Sequence, residues 1–137
     1  MAKAISSLEL AAPADRVWKL IGGFGSLPDW LPFISKSELA EGGRVRHLAG
    51  PDGAIIIEQL IAFDERARSY TYHILQAPFP VTDYYSTLKV METDGGTASR
   101  VEWSGQFTPK GVTEAAASKI LQDIYDDGLK ALDKSFK

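Results

Sequence analysis

The residues with the most chemistry to offer are two that flank a turn. His47 and Glu58 stand on either side of Gly50-Pro51-Asp52-Gly53, a string that reverses the chain and sets the segments around it side by side. If both side chains face inward, the carboxylate raises the imidazole pKa and the two form a proton-transfer pair. The plainer reading is a polar pair that orients a ligand, or two side chains that never meet. Glu102, within Arg100-Val101-Glu102-Trp103, is a second candidate. Turned inward it would recognise the polar end of a ligand directly or through water; turned outward it is a solvated strand residue. Inside it must find a partner, because an unpaired buried carboxylate is too costly to keep ionised. Tyr72 and Tyr84 each offer a flat apolar ring with a hydroxyl at its tip, and Ser86 adds a further hydroxyl.

What is missing narrows the chemistry further. The chain has no cysteine and two histidines, which removes thiolate nucleophiles, disulfides, iron–sulfur clusters and cysteine zinc sites together. His73 has no companion at metal-ligand spacing. Gly22-Gly23-Phe24-Gly25 follows a helix and is not followed by a lysine, so it does not read as a phosphate loop. No cofactor and no metal are expected. Net charge is −3 without a Lys/Arg cluster, so nucleic acid is not an expected partner. No stretch approaches the roughly 18 apolar residues of a membrane span, and the expected location is the cytoplasm.

Those side chains need a scaffold, and the punctuation of the chain outlines one. At 137 residues, 45% apolar and 24% charged, the composition suits one globular domain over 1–137 with a real core. A mixed apolar run over Ala4 to Leu10 stops at Ala11-Ala12-Pro13, and Pro13-Ala14-Asp15 opens a helix carrying Val17, Trp18, Leu20 and Ile21 at helical spacing. Gly22-Gly23-Phe24-Gly25 ends that helix, and Ser26 to Leu31 reads as a second short helical turn closed by Pro32. Trp18 and Trp30 are expected to anchor these helices to a sheet. From Phe33 onward, turn signals separate β-rich stretches over 33–40, 44–49, 54–63, 69–76, 83–92 and 99–107, which makes seven strands with the first. After Pro109 and Gly111, apolar residues from Ala115 to Phe136 recur at steps of three, four and seven, the mark of one long amphipathic helix.

A helix of about 24 residues, roughly 36 Å long, can lie across one face of such a sheet. A strongly curved sheet and one helix do not close completely, so an internal cavity between them is expected, filled by side chains, solvent or a ligand. Gln76 to Asp83, with two prolines around Phe79, reads either as a semi-rigid lid over the cavity mouth or as a packed hairpin turn.

The order of elements and several strings resemble the START/Bet v 1-like (SRPBCC) superfamily and, within it, the polyketide cyclase/dehydrase and lipid-transport family of small bacterial proteins. The strings are Ala12-Pro13-Ala14-Asp15-Arg16-Val17-Trp18, Asp29-Trp30-Leu31-Pro32, Gly42-Gly43-Arg44-Val45-Arg46, Tyr70-Thr71-Tyr72, Pro78-Phe79-Pro80-Val81, Arg100-Val101-Glu102-Trp103 and Tyr125-Asp126-Asp127-Gly128-Leu129. This resemblance implies a helix-grip fold of class α+β: a seven-stranded curved antiparallel sheet wrapped around a long C-terminal helix, with two short helices after strand 1. From Gly43 to Tyr84 the chain is also similar to the plant abscisic-acid receptors. Position by position, that likeness would turn His47, Glu58, Tyr72, Ile74, Phe79, Val81, Tyr84, Ser86, Glu102, Ile120 and Ile124 toward the cavity. The receptors' pocket lysine has no equivalent near Ser35 or Lys36, so hormone sensing is not implied.

Two functions follow as expectations. One is a carrier or sensor that binds a small, mainly hydrophobic or amphipathic molecule between sheet and helix, as a monomer or homodimer. The other is a polyketide cyclase/dehydratase-like enzyme in which His47 and Glu58 are catalytic and transfer protons.

Overall fold

Turn chemistry sets the strand boundaries. A computed structural model describes residues 2–137. In it, Glu41-Gly42-Gly43 and Asp94-Gly95-Gly96 place three consecutive residues at positive φ, from 50° to 98°, a path that costs glycine little and reverses the chain between strands. The elements run β1 (Ala2–Leu10), α1 (Ala14–Ile21), a 3-10 turn (Leu27–Asp29), β2 (Lys36–Ala40), β3 (Val45–Ala49), β4 (Ile55–Asp64), β5 (Ser69–Gln76), β6 (Val81–Thr93), β7 (Ala98–Pro109) and α2 (Glu114–Ser135). The second short helix expected after β1 is only that single 3-10 turn. Pro28 supports its start but leaves no room to lengthen it before Pro32.

The seven strands form one antiparallel sheet in the order β1-β7-β6-β5-β4-β3-β2, with β1 and β2 at its edges. The inner face carries Leu48, Ile56, Tyr70, Tyr72, Leu88, Val101, Trp103 and Phe107, all buried. α2 covers it with a buried stripe of Ala117, Leu121, Tyr125, Gly128, Leu129 and Leu132, spaced by three and four with Gly128 beside Leu129. Gly128 costs a helix interior roughly 1 kcal/mol relative to alanine, and its reason is contact: a Cβ there would lie 2.5 Å from Trp103 Cζ3. The helix thus rests directly on the central sheet. Its start is capped by Thr113, whose hydroxyl accepts from the Ala116 N–H at 3.1 Å.

α2 also closes a sheet edge. The Gln122 side-chain amide donates to the Ile5 carbonyl at 2.6 Å and accepts from the Ile5 N–H at 3.2 Å, as a neighbouring strand would, and Ser6 Oγ donates to Asp126 at 2.6 Å. At the other end α1 is tied down by Trp18, which packs on Phe63 and Tyr70 and donates from Nε1 to Glu65 at 3.0 Å. Among the described residues, no helix is long and apolar enough to cross a membrane.

The sheet parts in one place. β5 and β6 pair from Ser69↔Lys89 to His73↔Tyr85, and there the pairing stops. Beyond that point the end of β5 stays with β4, as far as Gln76↔Ile57, while the start of β6 stays with β7, as far as Val81↔Pro109. A bulge between Thr82 and Tyr85, with Asp83 at φ 50°, turns β6 away.

Candidate functional site

Between the inner face of the sheet and α2 lies a cavity of about 140 Å3. Its walls are mostly apolar: Leu27, Leu31, Phe33 and Ile34 from the segment before β2, Leu48 and Ile56 from the sheet, Pro51 and Phe79 from two turns, and Ile124 from α2. Its polar groups are Arg46, Glu58, Tyr72, Tyr84, Trp103 and Tyr125.

Arg46 is the dominant charge and is 1% exposed. Its Nε and Nη2 both lie 2.7 Å from Glu58 Oε1, and Nη1 donates to the Phe24 carbonyl at 2.9 Å and to the Tyr70 hydroxyl at 3.3 Å. The guanidinium is flanked by rings, 4.2 Å from the Phe24 centroid and 4.7 Å from that of Tyr72. Burial works against the charge, but Glu58, with Tyr70 and Tyr72 behind it, outweighs burial and holds the Arg46 pKa above its ordinary range.

A chain of hydroxyls forms the second polar feature. Tyr84 and Tyr125 hydrogen-bond to each other, Tyr125 meets Ser86 Oγ at 3.1 Å, and Ser86 donates to the Ser104 carbonyl at 2.8 Å. Trp103 Nε1 donates to both Tyr72 and Ser86, at 3.0 and 3.1 Å. Gly105 makes room for this cluster, since a Cβ there would collide with the Tyr125 hydroxyl and lie 2.8 Å from the Tyr84 ring. Burial raises all three phenols: Tyr72 and Tyr84 well above their ordinary value, and Tyr125 to about 12 despite its hydrogen bonds with Ser86 and Tyr84, which work the other way. These phenols are neutral donors and acceptors, not bases.

Of the residues singled out in the sequence, Glu58, Tyr72, Phe79, Tyr84 and Ile124 line this cavity, and Ser86 lies directly behind it. His47 does not. It is exposed and sits opposite Glu38 and Ile57, whereas Glu58 sits opposite Arg46. Directly paired strand residues share a face and successive ones alternate, so His47 and Glu58 lie on opposite sides of the sheet and form no proton-transfer pair. Glu102 also faces outward: Val101 and Trp103 on either side of it are buried, it pairs with Ser7 and Lys89, and it lies 3.5 Å from Arg100. Ile120, 37% exposed, lies off the buried stripe of α2. Ile74 and Val81 line a separate cleft where β5 and β6 part, bounded also by Leu75 and Lys110. Phe79 and Tyr84 belong to both spaces and form the wall between them.

Seven apolar lining residues, Leu27, Leu31, Phe33, Ile34, Leu48, Pro51 and Ile56, and three polar ones, Arg46, Trp103 and Tyr125, were not singled out in the sequence. Each of the polar ones had a signal. Placing Ala49 opposite Ile55 across the Gly50–Gly53 turn puts Arg46 opposite Glu58. Trp103 shares its face with Val101, and Tyr125 continues the spacing of Ala117 and Leu121.

The sequence profile of the polyketide cyclase / dehydrase and lipid transport family matches residues 1–137, and the chain belongs to that family. Among solved structures, an uncharacterised protein from Bacillus thuringiensis is 54% identical, with 98% of each chain covered and a TM-score of 0.96. The protein XoxI from Bacillus cereus is likewise 54% identical, covering 99% of this chain and 96% of that one, at a TM-score of 0.96. A START superfamily protein from Mycobacterium smegmatis, at 16% identity and a TM-score of 0.80 over 99% of this chain and 97% of its own, has the same fold. Family and fold together fit a hydrophobic ligand-binding or polyketide cyclase-like protein.

Proposed function

We propose that this protein binds a small, mainly hydrophobic molecule in the cavity between the sheet and α2, as a carrier or sensor. The observation that carries the reading is the composition of the wall: apolar side chains on most sides, with hydroxyls converging at one end. Apolar burial supplies affinity and the polar end supplies orientation. The proton-transfer reading loses its support with His47 on the outer face.

Mass spectrometry of a denaturing organic extract of freshly purified protein, set beside an extract of an unrelated protein from the same host, tests this. A small apolar molecule at close to one per chain is the expected result. A clean extract, together with no rise in melting temperature across a library of apolar small molecules, overturns it.

A further inference from the structure

The cavity's size and its unspent hydrogen bonds narrow the ligand class, given that the cavity is a binding site as proposed above. A cavity of about 150 Å3 holds one benzene ring, and drug-sized ligands occupy roughly 300 Å3 or more. At about 140 Å3, this one is the size of a single ring.

The protons of the polar end can be counted. Ser86 spends its one proton on the Ser104 carbonyl, so at its 3.1 Å contact with Tyr125 the tyrosine is the donor. With that proton spent, Tyr84 must donate to Tyr125. Tyr84 is left with lone pairs only. Glu58 Oε1 takes both contacts from Arg46, while Oε2 makes no hydrogen bond among the described residues. On the donor side, Tyr72 accepts from Trp103, and its own proton has no acceptor among the described residues. Tyr84 and Glu58 Oε2 are therefore open acceptors, beside open donors on Tyr72 and on Arg46, whose second Nη2 hydrogen has no acceptor among the described residues. The charges of Arg46 and Glu58 cancel as a pair, so no free cation lines the cavity to hold a carboxylate.

We infer that the ligand is a neutral molecule about the size of one aromatic ring that brings its own O–H or N–H donor, of the phenol class, with the donor directed to Tyr84. Fatty acids and other carboxylates are disfavoured by charge, and multi-ring polyketides by volume.

The test is calorimetric titration of the protein and of its Tyr84→Phe variant with phenol, toluene, benzoate and decanoate. Phenol is expected to bind at one site, about tenfold or more tighter than benzoate and decanoate. Tyr84→Phe is expected to weaken phenol by about tenfold, while toluene, which has the same shape and no donor, changes little. Tighter binding of benzoate or decanoate than of phenol overturns the inferred class but leaves the binding cavity standing. Phenol binding that is indifferent to Tyr84→Phe, with toluene its equal, overturns the donor requirement. Failure of all four probes also overturns the class, and the extract and library described above then decide separately whether the cavity binds anything.

Discussion

Arg46 and Glu58 face each other across β3 and β4 with 1% and 7% of their surfaces exposed, so removing either leaves the other's charge buried without its counterpart. Arg46→Met is expected to cost about 3–5 kcal/mol in urea unfolding, and the double variant Arg46→Met/Glu58→Leu to recover most of that loss. A double variant as unstable as the single one would show that the Phe24 and Tyr70 contacts of Arg46, not its charge pairing, hold the site. This pair also marks where sequence reading stops. Glu58 was paired with His47 because the two flank the Gly50–Gly53 turn on adjacent strands, which says nothing of the face each takes. Arginine in Arg44-Val45-Arg46-His47 reads as a solvated strand residue, because only the partner on the next strand makes its burial affordable. Glu102, left open between the two faces, is turned outward by the alternation of β7, and Ile120, turned inward only by likeness, lies off the buried stripe of α2.

At the level of elements, turns and periods were legible throughout: seven strands, one opening helix and one long closing helix follow from Gly/Pro punctuation and from spacing alone. The parting of β5 from β6 was not. It depends on the bulge at Asp83, where a non-glycine residue takes φ 50°, and nothing in Val81-Thr82-Asp83-Tyr84 announces which neighbour the strand will follow. Phe79 fills the gap so created and divides the inner cavity from the cleft. Phe79→Ala should join the two spaces and admit a larger guest. The expected outcome in titration is that 2-naphthol binds the variant about tenfold or more tighter than it binds the unaltered protein, in line with the extra apolar area buried. Equal affinities would mean that some other side chain sets the length limit.

For the molecule as a whole, the buried phenols predict a limit on the alkaline side. An unfolded tyrosine ionises near pH ~10, while Tyr125 in the fold holds its proton to about 12 and Tyr72 and Tyr84 hold theirs well above the ordinary value. Between those values the unfolded chain has released protons that the folded one retains, so stability falls as pH rises. Tyr125 alone accounts for a loss of about 2–3 kcal/mol across pH 10 to 12. Tyrosinate absorbance and circular dichroism followed together should show the last three of the five tyrosines ionising in the same step as unfolding, and more than two tyrosinates in an intact fold near pH ~10 would contradict the burial argument. The same sheet that guards these phenols is two leaves, β2-β3-β4-β5 and β6-β7-β1, joined along five residue pairs from Ser69↔Lys89 to His73↔Tyr85. Past that seam no ladder between the leaves has to break for them to spread. Widening there works against bending and against the packing of Phe79 and Tyr84 between the leaves. In the proposed binding role, Phe79 would therefore govern both how fast a guest passes and how tightly it is held, because it lines the cavity as well as the gap.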